Sequence, residues 1–197
     1  MRVFLMDRKL NVSEAYLHPG FAFGGSCLPK DLRALVHSGQ AADLASVLLS
    51  AILPSNDAQL RRGVNLVLDT KRRRIGVVGL AFKHGTDDLR ESPMVTLVET
   101  LVGKGCDVRI LDQNVAVARL QGANKDYIEA EIPHVAALMC DDVEALLEHA
   151  EVIVIGSGGP AAATAAAGAR PDQIVIDLTR RAAPGRRSKG AWAAPSE

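Results

Sequence analysis

Residues 74–111 read RIGVVGLAFKHGTDDLRESPMVTLVETLVGKGCDVRIL, and this stretch decides the fold. Short apolar runs open and close it, at 74–80 and 107–111, and each has the length and composition of a buried strand. Between them, Ser92-Pro93 predicts a helix start, because serine caps helices and proline suits the first helical turn. The helix should run to about Val102. The stretch therefore predicts two strands joined by a crossover helix.

The same alternation continues toward the C-terminus. Strands are predicted at 152–155 (VIVI) and 173–178 (QIVIDL), with a helix at 141–149 before the first of them. Residues 157–170 are rich in glycine and alanine and leave a helix there uncertain. Repeated strand, helix and strand favour a parallel sheet with right-handed crossovers, which is a Rossmann-like α/β fold.

The chain before residue 74 has a different, helical pattern. Apolar Leu60, Val64 and Val67 recur at helical spacing. Three helices are predicted, over residues 29–37, 41–53 and 54–68. The expected organisation is an all-α segment at 1–72, a Rossmann-like domain at 73–181 and a flexible tail at 182–197.

Composition excludes several classes of protein. Among 197 residues, 48% are hydrophobic and the formal net charge is zero, which fits a globular protein without a nucleic-acid or anionic-membrane partner. No apolar run approaches the roughly 18–20 residues that a membrane span needs. The N-terminus does not resemble a secretory signal. Three cysteines without CxxC spacing indicate reduced thiols in a cytoplasmic protein, with no metal site expected.

The segment Gly24-Gly25-Ser26-Cys27-Leu28-Pro29-Lys30-Asp31 carries the clearest chemistry. Cys27 would lie just before a helix, where free N–H groups and the helix dipole favour a thiolate. Lys30 adds a positive charge nearby, and Asp31 could orient water or a proton. The two glycines allow a ligand to approach the backbone closely. A lone cysteine is more often a small buried hydrophobe, but packing explains neither the glycines nor the Lys-Asp pair.

This octapeptide resembles the nucleophile motif of the UDP-glucose/GDP-mannose dehydrogenase family. Phe82-Lys83 and the stretch 86–93 (TDDLRESP) resemble a second signature of that family. Residues 21–23 (FAF), 122–129 (GANKDYIE) and 132–134 (IPH) are similar to its GDP-mannose branch. The resemblance extends through nearly the whole chain.

The resemblance implies an NAD-dependent oxidation of the sugar C6 alcohol to a carboxylate, with two NAD per turnover. An aldehyde must become tetrahedral before it can lose a second hydride, and a cysteine thiolate achieves this by forming a thiohemiacetal, which is oxidised to a thioester. The implied roles are Cys27 as nucleophile, Asp31 in water activation, Lys30 and Arg90 at NAD, and Tyr16, His18, Phe21, Gly24 and Lys83 at a GDP-mannose-type nucleotide sugar. The resemblance also implies a homodimer formed through the helical segment.

One of these positions departs from the family pattern. The GDP-mannose branch tends to carry arginine where this chain has His18. Arginine can bind a phosphate with two hydrogen bonds at any working pH, whereas neutral histidine cannot. A UDP-sugar such as UDP-glucose therefore stays open as the substrate.

The family's N-terminal NAD-binding domain is not expected within this sequence, since the first 28 residues are too few for a βαβ fingerprint unit. A stretch at 156–161 (GSGGPA) imitates that fingerprint, with Asp177 placed like a ribose-binding acid. Its strand is late in the sheet, and the following alanines offer little bulk for a crossover helix. Asp112, at the end of the second predicted strand, could also imitate a ribose-binding acid. Its strand lacks a preceding Gly-x-Gly, so Asp112 is interpreted as a turn residue.

Two other functions stay open. The chain could be a non-catalytic fragment that dimerises and binds a nucleotide sugar. It could also be a cysteine hydrolase of another kind, which requires a general-base histidine near Cys27. His18 and His37 are the candidates.

Overall fold

The computed structural model describes residues 6, 9, 20–81, 88–112, 115 and 133–179. Two long helices come first, and four strands with their connecting helices follow. In chain order the elements are α1 (Leu28–Ala41), α2 (Val47–Leu68), β1 (Arg74–Val78), α3 (Pro93–Gly103), β2 (Asp107–Leu111), α4 (Pro133–Ala136), α5 (Val143–His149), β3 (Val152–Ile155), α6 (Pro160–Gly168) and β4 (Ile174–Asp177).

The four strands form one parallel sheet in the order β2-β1-β3-β4. Val77 on the central strand β1 pairs with Ile110 of β2 and with Val154 of β3. The predicted α/β fold with a parallel sheet is confirmed. In this order the chain turns back at β1, so the exits of β1 and β3 border the crevice where open parallel sheets commonly bind ligands.

Both faces of the sheet are covered. Alternate residues of each strand face opposite sides of the sheet. Those on one face, among them Ile75 and Val154, share a core with α2 and α3, and those on the other face, such as Ile153, pack with α5 and α6. Gly76 permits close packing on the second face, because a Cβ there would lie 2.7 Å from Leu146 Cδ2. Each fully buried aliphatic side chain contributes about 1.5–3 kcal/mol relative to exposure. The result is a three-layer domain with helices on both sides of the sheet.

The capping prediction at Ser92 is confirmed. Its Oγ accepts a hydrogen bond from the Met94 N–H (3.3 Å) and donates one to the Leu80 carbonyl (2.7 Å), and Pro93 opens α3. Because buried Ser92 bonds to the Leu80 carbonyl, which lies just after β1, the start of α3 is held at the exit of β1. Asp112 accepts hydrogen bonds from the Leu80 and Ala81 N–H groups at the exit of β1. Its carbonyl and its Oδ1 also accept from the Val115 N–H, in agreement with its interpretation as a turn residue.

The predicted helices at 41–53 and 54–68 are wrong as separate elements. Residues 47–68 form the single helix α2, with Pro54 inside it, and α1 continues to Ala41. Proline removes the hydrogen bond to the carbonyl four residues earlier. That residue, Ser50, is exposed, so water can hydrate its carbonyl. The break between the helices instead lies at 42–46, where Asp43 has a left-handed φ of 55°.

The other boundaries differ little from the predicted ones. The helix at 141–149 begins at Val143, after an N-cap in which Asp142 accepts from the Ala145 N–H. The uncertain helix at 157–170 exists as α6, and its alanines suffice to pack because Ala162 and Ala165 are buried. The division into domains near residue 72 and the flexibility of 182–197 stay predictions. No helix among the described residues is both long and apolar enough to cross a membrane.

Candidate functional site

Cys27 lies at the start of α1, on the exposed surface of a short loop that we call the cysteine loop, residues 20–27. It is the N-cap residue, with φ −98° and ψ −61°, and its carbonyl accepts the first helical hydrogen bond from the Asp31 N–H at 2.8 Å. Its Sγ lies 3.8 Å from Ser26 Oγ. The predicted placement of an accessible thiol at a helix N-terminus is therefore present.

The side chain of Asn56, on α2, holds the cysteine loop from one side. Its Oδ1 accepts a hydrogen bond from the Phe23 N–H at 2.9 Å, and its Nδ2 donates one to the Phe23 carbonyl at 2.8 Å. Both bonds are partly buried. One carboxamide therefore satisfies the whole polar backbone of a loop residue four positions before Cys27.

The segment before α3 holds the loop from the other side. A Cβ at Gly24 would lie 2.1 Å from the Glu91 carbonyl oxygen and 2.7 Å from Pro93 Cδ, so only glycine permits this approach. Glu91 itself has φ 50°, a conformation that is uncommon for a non-glycine residue. Within the cysteine loop, the residue after Gly24 is Gly25, which has φ 91° and turns the chain toward Cys27.

One ion pair reinforces this contact, and a second lies within the segment before α3. Arg33 on α1 binds both carboxylate oxygens of Glu91, at 2.9 and 2.6 Å. Arg90 binds Asp88 in the same two-bond manner, at 2.8 and 2.9 Å. The Arg90 hydrogen bonds hold the pKa of Asp88 below its usual value, with a smaller contribution from a Ser26 hydrogen bond. The Arg33 hydrogen bonds lower the pKa of Glu91 in the same way.

Arg90 lies near enough to Cys27 for the two groups to interact electrostatically. The hydrogen bonds and charge of Asp88 are the main reasons that the pKa of Arg90 is raised, and Cys27 contributes less. Lys30 and Asp31 lie one turn into α1 and form a long ion pair of 3.4 Å with both side chains exposed. The structure therefore brings five of the predicted site residues to one region, around the start of α1 and the segment before α3: Gly24, Cys27, Lys30, Asp31 and Arg90.

Phe21 is placed differently from the other predicted residues. Its ring lies on Gly63 of α2, where a Cβ would come within 2.6 Å of two ring carbons, and it packs against the core beside Leu97. The ring is half-buried and has a clear packing role, and its substrate contact stays a prediction. Tyr16, His18 and Lys83 lie outside the described residues, as do 122–129.

The other two cysteines lie in different surroundings. Cys106 is buried before β2, and burial raises the pKa of its thiol. Cys140 is half-buried, its Sγ donates to the Ile110 carbonyl at 3.3 Å, and burial is again the main reason that its pKa is raised. No group of three or more His, Cys, Asp or Glu side chains able to hold a metal occurs in the part of the chain that the structure describes.

The glycines that imitate a dinucleotide fingerprint have a packing explanation. A Cβ at Gly156 would lie 2.7 Å from the Gly79 carbonyl and closer still to Met94, and a Cβ at Gly79 would overlap Ser157. These glycines let the exits of β1 and β3 approach each other. Gly158, by contrast, borders open space, since nothing lies within 4 Å of a Cβ there. The arrangement thus accounts for Gly156 without a bound dinucleotide.

Three residues of this site were not predicted from the sequence, namely Asn56, Arg33 and Glu91. An asparagine within a helix is a weak signal, since asparagine is a poor helix former. Glu91 lies in the second signature, but neither its partner Arg33 nor its carbonyl contact with Gly24 has a local sequence pattern.

Comparison with known proteins supports the geometric picture. Residues 1–58 match the profile of the UDP-glucose/GDP-mannose dehydrogenase family, central domain, and residues 76–181 match that of the family's UDP binding domain. GDP-mannose 6-dehydrogenase of Pseudomonas aeruginosa is 43% identical over 187 residues, which is 95% of this chain and 40% of that protein. GDP-mannose 6-dehydrogenase of Azotobacter vinelandii is 45% identical over 178 residues, 90% of this chain and 41% of that protein.

A solved structure shows the same likeness. The ternary complex of GDP-mannose dehydrogenase from Pseudomonas aeruginosa superposes with a TM-score of 0.81 at 44% identity, covering 90% of this chain and 41% of that one. The chain thus spans about two fifths of the length of these relatives. With both signatures meeting at one surface and both family profiles matched, the chain belongs to the UDP-glucose/GDP-mannose dehydrogenase family.

Proposed function

We propose that this chain contributes the catalytic cysteine and the nucleotide-sugar-binding domain of an NAD-dependent 6-dehydrogenase that converts GDP-mannose to GDP-mannuronate. The observation that supports it best is the contact between the two signature segments. Gly24 lies directly on Glu91, and Arg33, on the helix that begins after Cys27, binds the Glu91 carboxylate. A nucleophile loop docked on the domain that binds the nucleotide is what a reaction at the attached sugar requires.

The proposed chemistry centres on the sulfur of Cys27. Its thiolate attacks the C6 aldehyde that the first oxidation produces, and a C–S bond forms while the carbonyl oxygen takes up a proton. Loss of a hydride from carbon and of the hydroxyl proton from this thiohemiacetal leaves a thioester. Water then adds to the thioester carbon, the C–S bond breaks, and the carboxylate and the thiolate are released. Asp31, one helical turn from Cys27, assists by accepting a proton from that water.

NAD supplies the acceptor for the hydride in each oxidation. Two cations on the Cys27 surface, Lys30 and Arg90, suit its diphosphate by charge, and both side chains are substantially exposed. Because Asp88 already engages Arg90, its carboxylate holds the guanidinium in one orientation. These two residues are the proposed cofactor contacts within this chain.

The nucleotide sugar is proposed to bind at the carboxyl edge of the sheet. Sheets of this strand order commonly bind ligands outside the exits of β1 and β3, and Ser92, just before α3, is bonded to the Leu80 carbonyl at the exit of β1. Tyr16, His18, Phe21, Gly24 and Lys83 are the proposed contacts. GDP-mannose is favoured by the names of the similar proteins, which are GDP-mannose 6-dehydrogenases.

The test is NADH formation from GDP-mannose, measured for the chain alone and after addition of the N-terminal domain of a relative. We expect turnover only with that domain present, and loss of the second oxidation in Cys27→Ser. Cys140→Ser is the matched control, since Cys140 lies away from the loop, and it should keep the wild-type yield. An undiminished NADH yield in Cys27→Ser would count against the proposed role of the cysteine. Replacement of GDP-mannose by UDP-glucose in the same assay decides between the two substrate classes.

A homodimer through the helical segment is the second part of the proposal. Five large apolar side chains on and between α1 and α2 are each more than half exposed, namely Leu28, Leu35, Leu44, Val47 and Leu48. Exposed apolar side chains that cluster on one segment commonly mark an interface. Light scattering should give a molar mass twice that of the chain. The double substitution Val47→Asp and Leu48→Asp should lower it to the mass of a single chain. A wild-type mass of 20.9 kDa would refute the dimer.

A further inference from the structure

We propose that Asn56 is a positioning residue for Cys27: its carboxamide holds the backbone of Phe23 and thereby sets where the cysteine sulfur lies relative to the sheet. The proposal deepens the function above and rests on it for the reaction step, although the contact itself is structural.

The two hydrogen bonds define the loop more strictly than a single bond would. The Phe23 N–H and the Phe23 carbonyl both bind the one side chain, at 2.9 and 2.8 Å, so the peptide planes on both sides of residue 23 are oriented. The side chain does for this residue what a neighbouring strand does in a sheet. Asn56 lies 33 residues away in the chain, so the restraint is tertiary.

The restraint on Phe23 also acts on Cys27, because few residues lie between them. Gly24 is seated on the Glu91 carbonyl and Gly25 turns at φ 91°, which leaves Ser26 as the one residue between that turn and the cysteine. The loop is thus held between α2 on one side and the segment before α3 on the other. Removal of either hold lets the sulfur move.

The identity of residue 56 is otherwise hard to explain. Asparagine is a poorer helix former than alanine, and position 56 lies within the 22-residue helix α2. Its side chain reaches the Phe23 backbone with a donor and an acceptor together. Asn65, on the same helix, is exposed and provides a matched comparison.

Positioning matters most for the second oxidation, in which the sulfur must bond to the aldehyde carbon. A misplacement of about 1 Å can lower a rate by about a hundredfold. The first oxidation forms no bond to sulfur. In Asn56→Ala we expect the rate of aldehyde oxidation to fall by about tenfold or more relative to alcohol oxidation. Mere loss of folded protein would lower both rates together.

Two measurements on the chain itself need no cofactor. Hydrogen exchange of the Phe23 amide should be about fivefold faster in Asn56→Ala, because its acceptor is gone, and unchanged in Asn65→Ala. Alkylation of Cys27 by iodoacetamide at pH 7 should be about threefold slower, because the sulfur of a loosened Cys27 leaves its fixed place at the N-terminal end of α1, where the helix dipole favours an attacking anion. Its sulfur is already exposed, so loosening adds little access.

The outcomes separate the alternatives. Buried Cys106 reports unfolding, and its labelling should stay at the wild-type rate in both variants. An unchanged or faster alkylation of Cys27 in Asn56→Ala, or equal new labelling of Cys106, overturns the positioning role. If the wild-type protein oxidises no nucleotide sugar, the proposed function fails, while exchange and alkylation still decide the role of Asn56.

Discussion

Replacement of Gly24 by alanine tests the docking of the cysteine loop most directly. The new Cβ would lie 2.1 Å from the Glu91 carbonyl oxygen, 2.7 Å from Pro93 Cδ and 3.1 Å from the Glu91 carbonyl carbon. Two of these atoms belong to backbone and the third to a rigid ring. Because normal contacts need about 3.5 Å, the loop and the segment must separate by roughly 1 Å. The φ of Gly24 is not in the left-handed range, so the effect is steric alone.

The magnitude follows from the cost of overpacking, about 1–3 kcal/mol. With a urea dependence of about 2 kcal/mol per molar, the unfolding midpoint should fall by roughly 0.5–1.5 M. If the loop undocks instead, the free energy of unfolding falls only by the contribution of the docking contacts. The Phe23 amide then exchanges faster, because its hydrogen bond to Asn56 opens.

The assay is urea unfolding followed by circular dichroism, with hydrogen exchange on the same samples. Gly20→Ala is the control, since nothing lies within 4 Å of a Cβ there and its φ is not left-handed. It should leave the midpoint unchanged or raise it slightly, because alanine reduces the freedom of the unfolded chain. A Gly24→Ala protein with the wild-type midpoint and wild-type exchange at Phe23 would refute the docked arrangement.

Three further results are expected. Graded alkylation at pH 7 followed by mass spectrometry should label Cys27 before Cys106, whose pKa burial raises, and earlier labelling of Cys106 would contradict the site. The pKa of Glu91 is lowered from 4.5 by Arg33, so the Glu91 carboxylate stabilises the fold above that pH, and this contribution is lost as the pH falls below it. The unfolding midpoint of Glu91→Gln should therefore vary less between pH 6 and pH 3 than that of the wild type. Gly63→Ala should destabilise the wild type through the Phe21 ring, yet stabilise a Phe21→Ala background by about 1 kcal/mol through helix propensity, and the same sign in both backgrounds would exclude the contact.

Local pattern was sufficient for the elements around β1. Five-residue apolar strands and a Ser-Pro helix start are signals carried by adjacent residues, and β1, β2, β3 and the cap at Ser92 all appear where they were expected. Pro54 shows the limit of such reasoning. As a strong local helix breaker it predicted a boundary, but its neighbourhood is exposed and the helix continues through it to the core residues Val64 and Val67.

The sequence by itself determined the α/β class, the parallel sheet and the candidate nucleophile, because hydrophobic period, capping residues and the glycine-cysteine motif are local properties of the chain. Only the tertiary structure decided which distant residues meet at that nucleophile. Asn56 reaches Phe23 across 33 residues, and Arg33 reaches Glu91 across 58. No local pattern carries these contacts, since they depend on how α2 and the segment before α3 pack around the loop. The cysteine could be found by reading the chain, and its supports only by folding it.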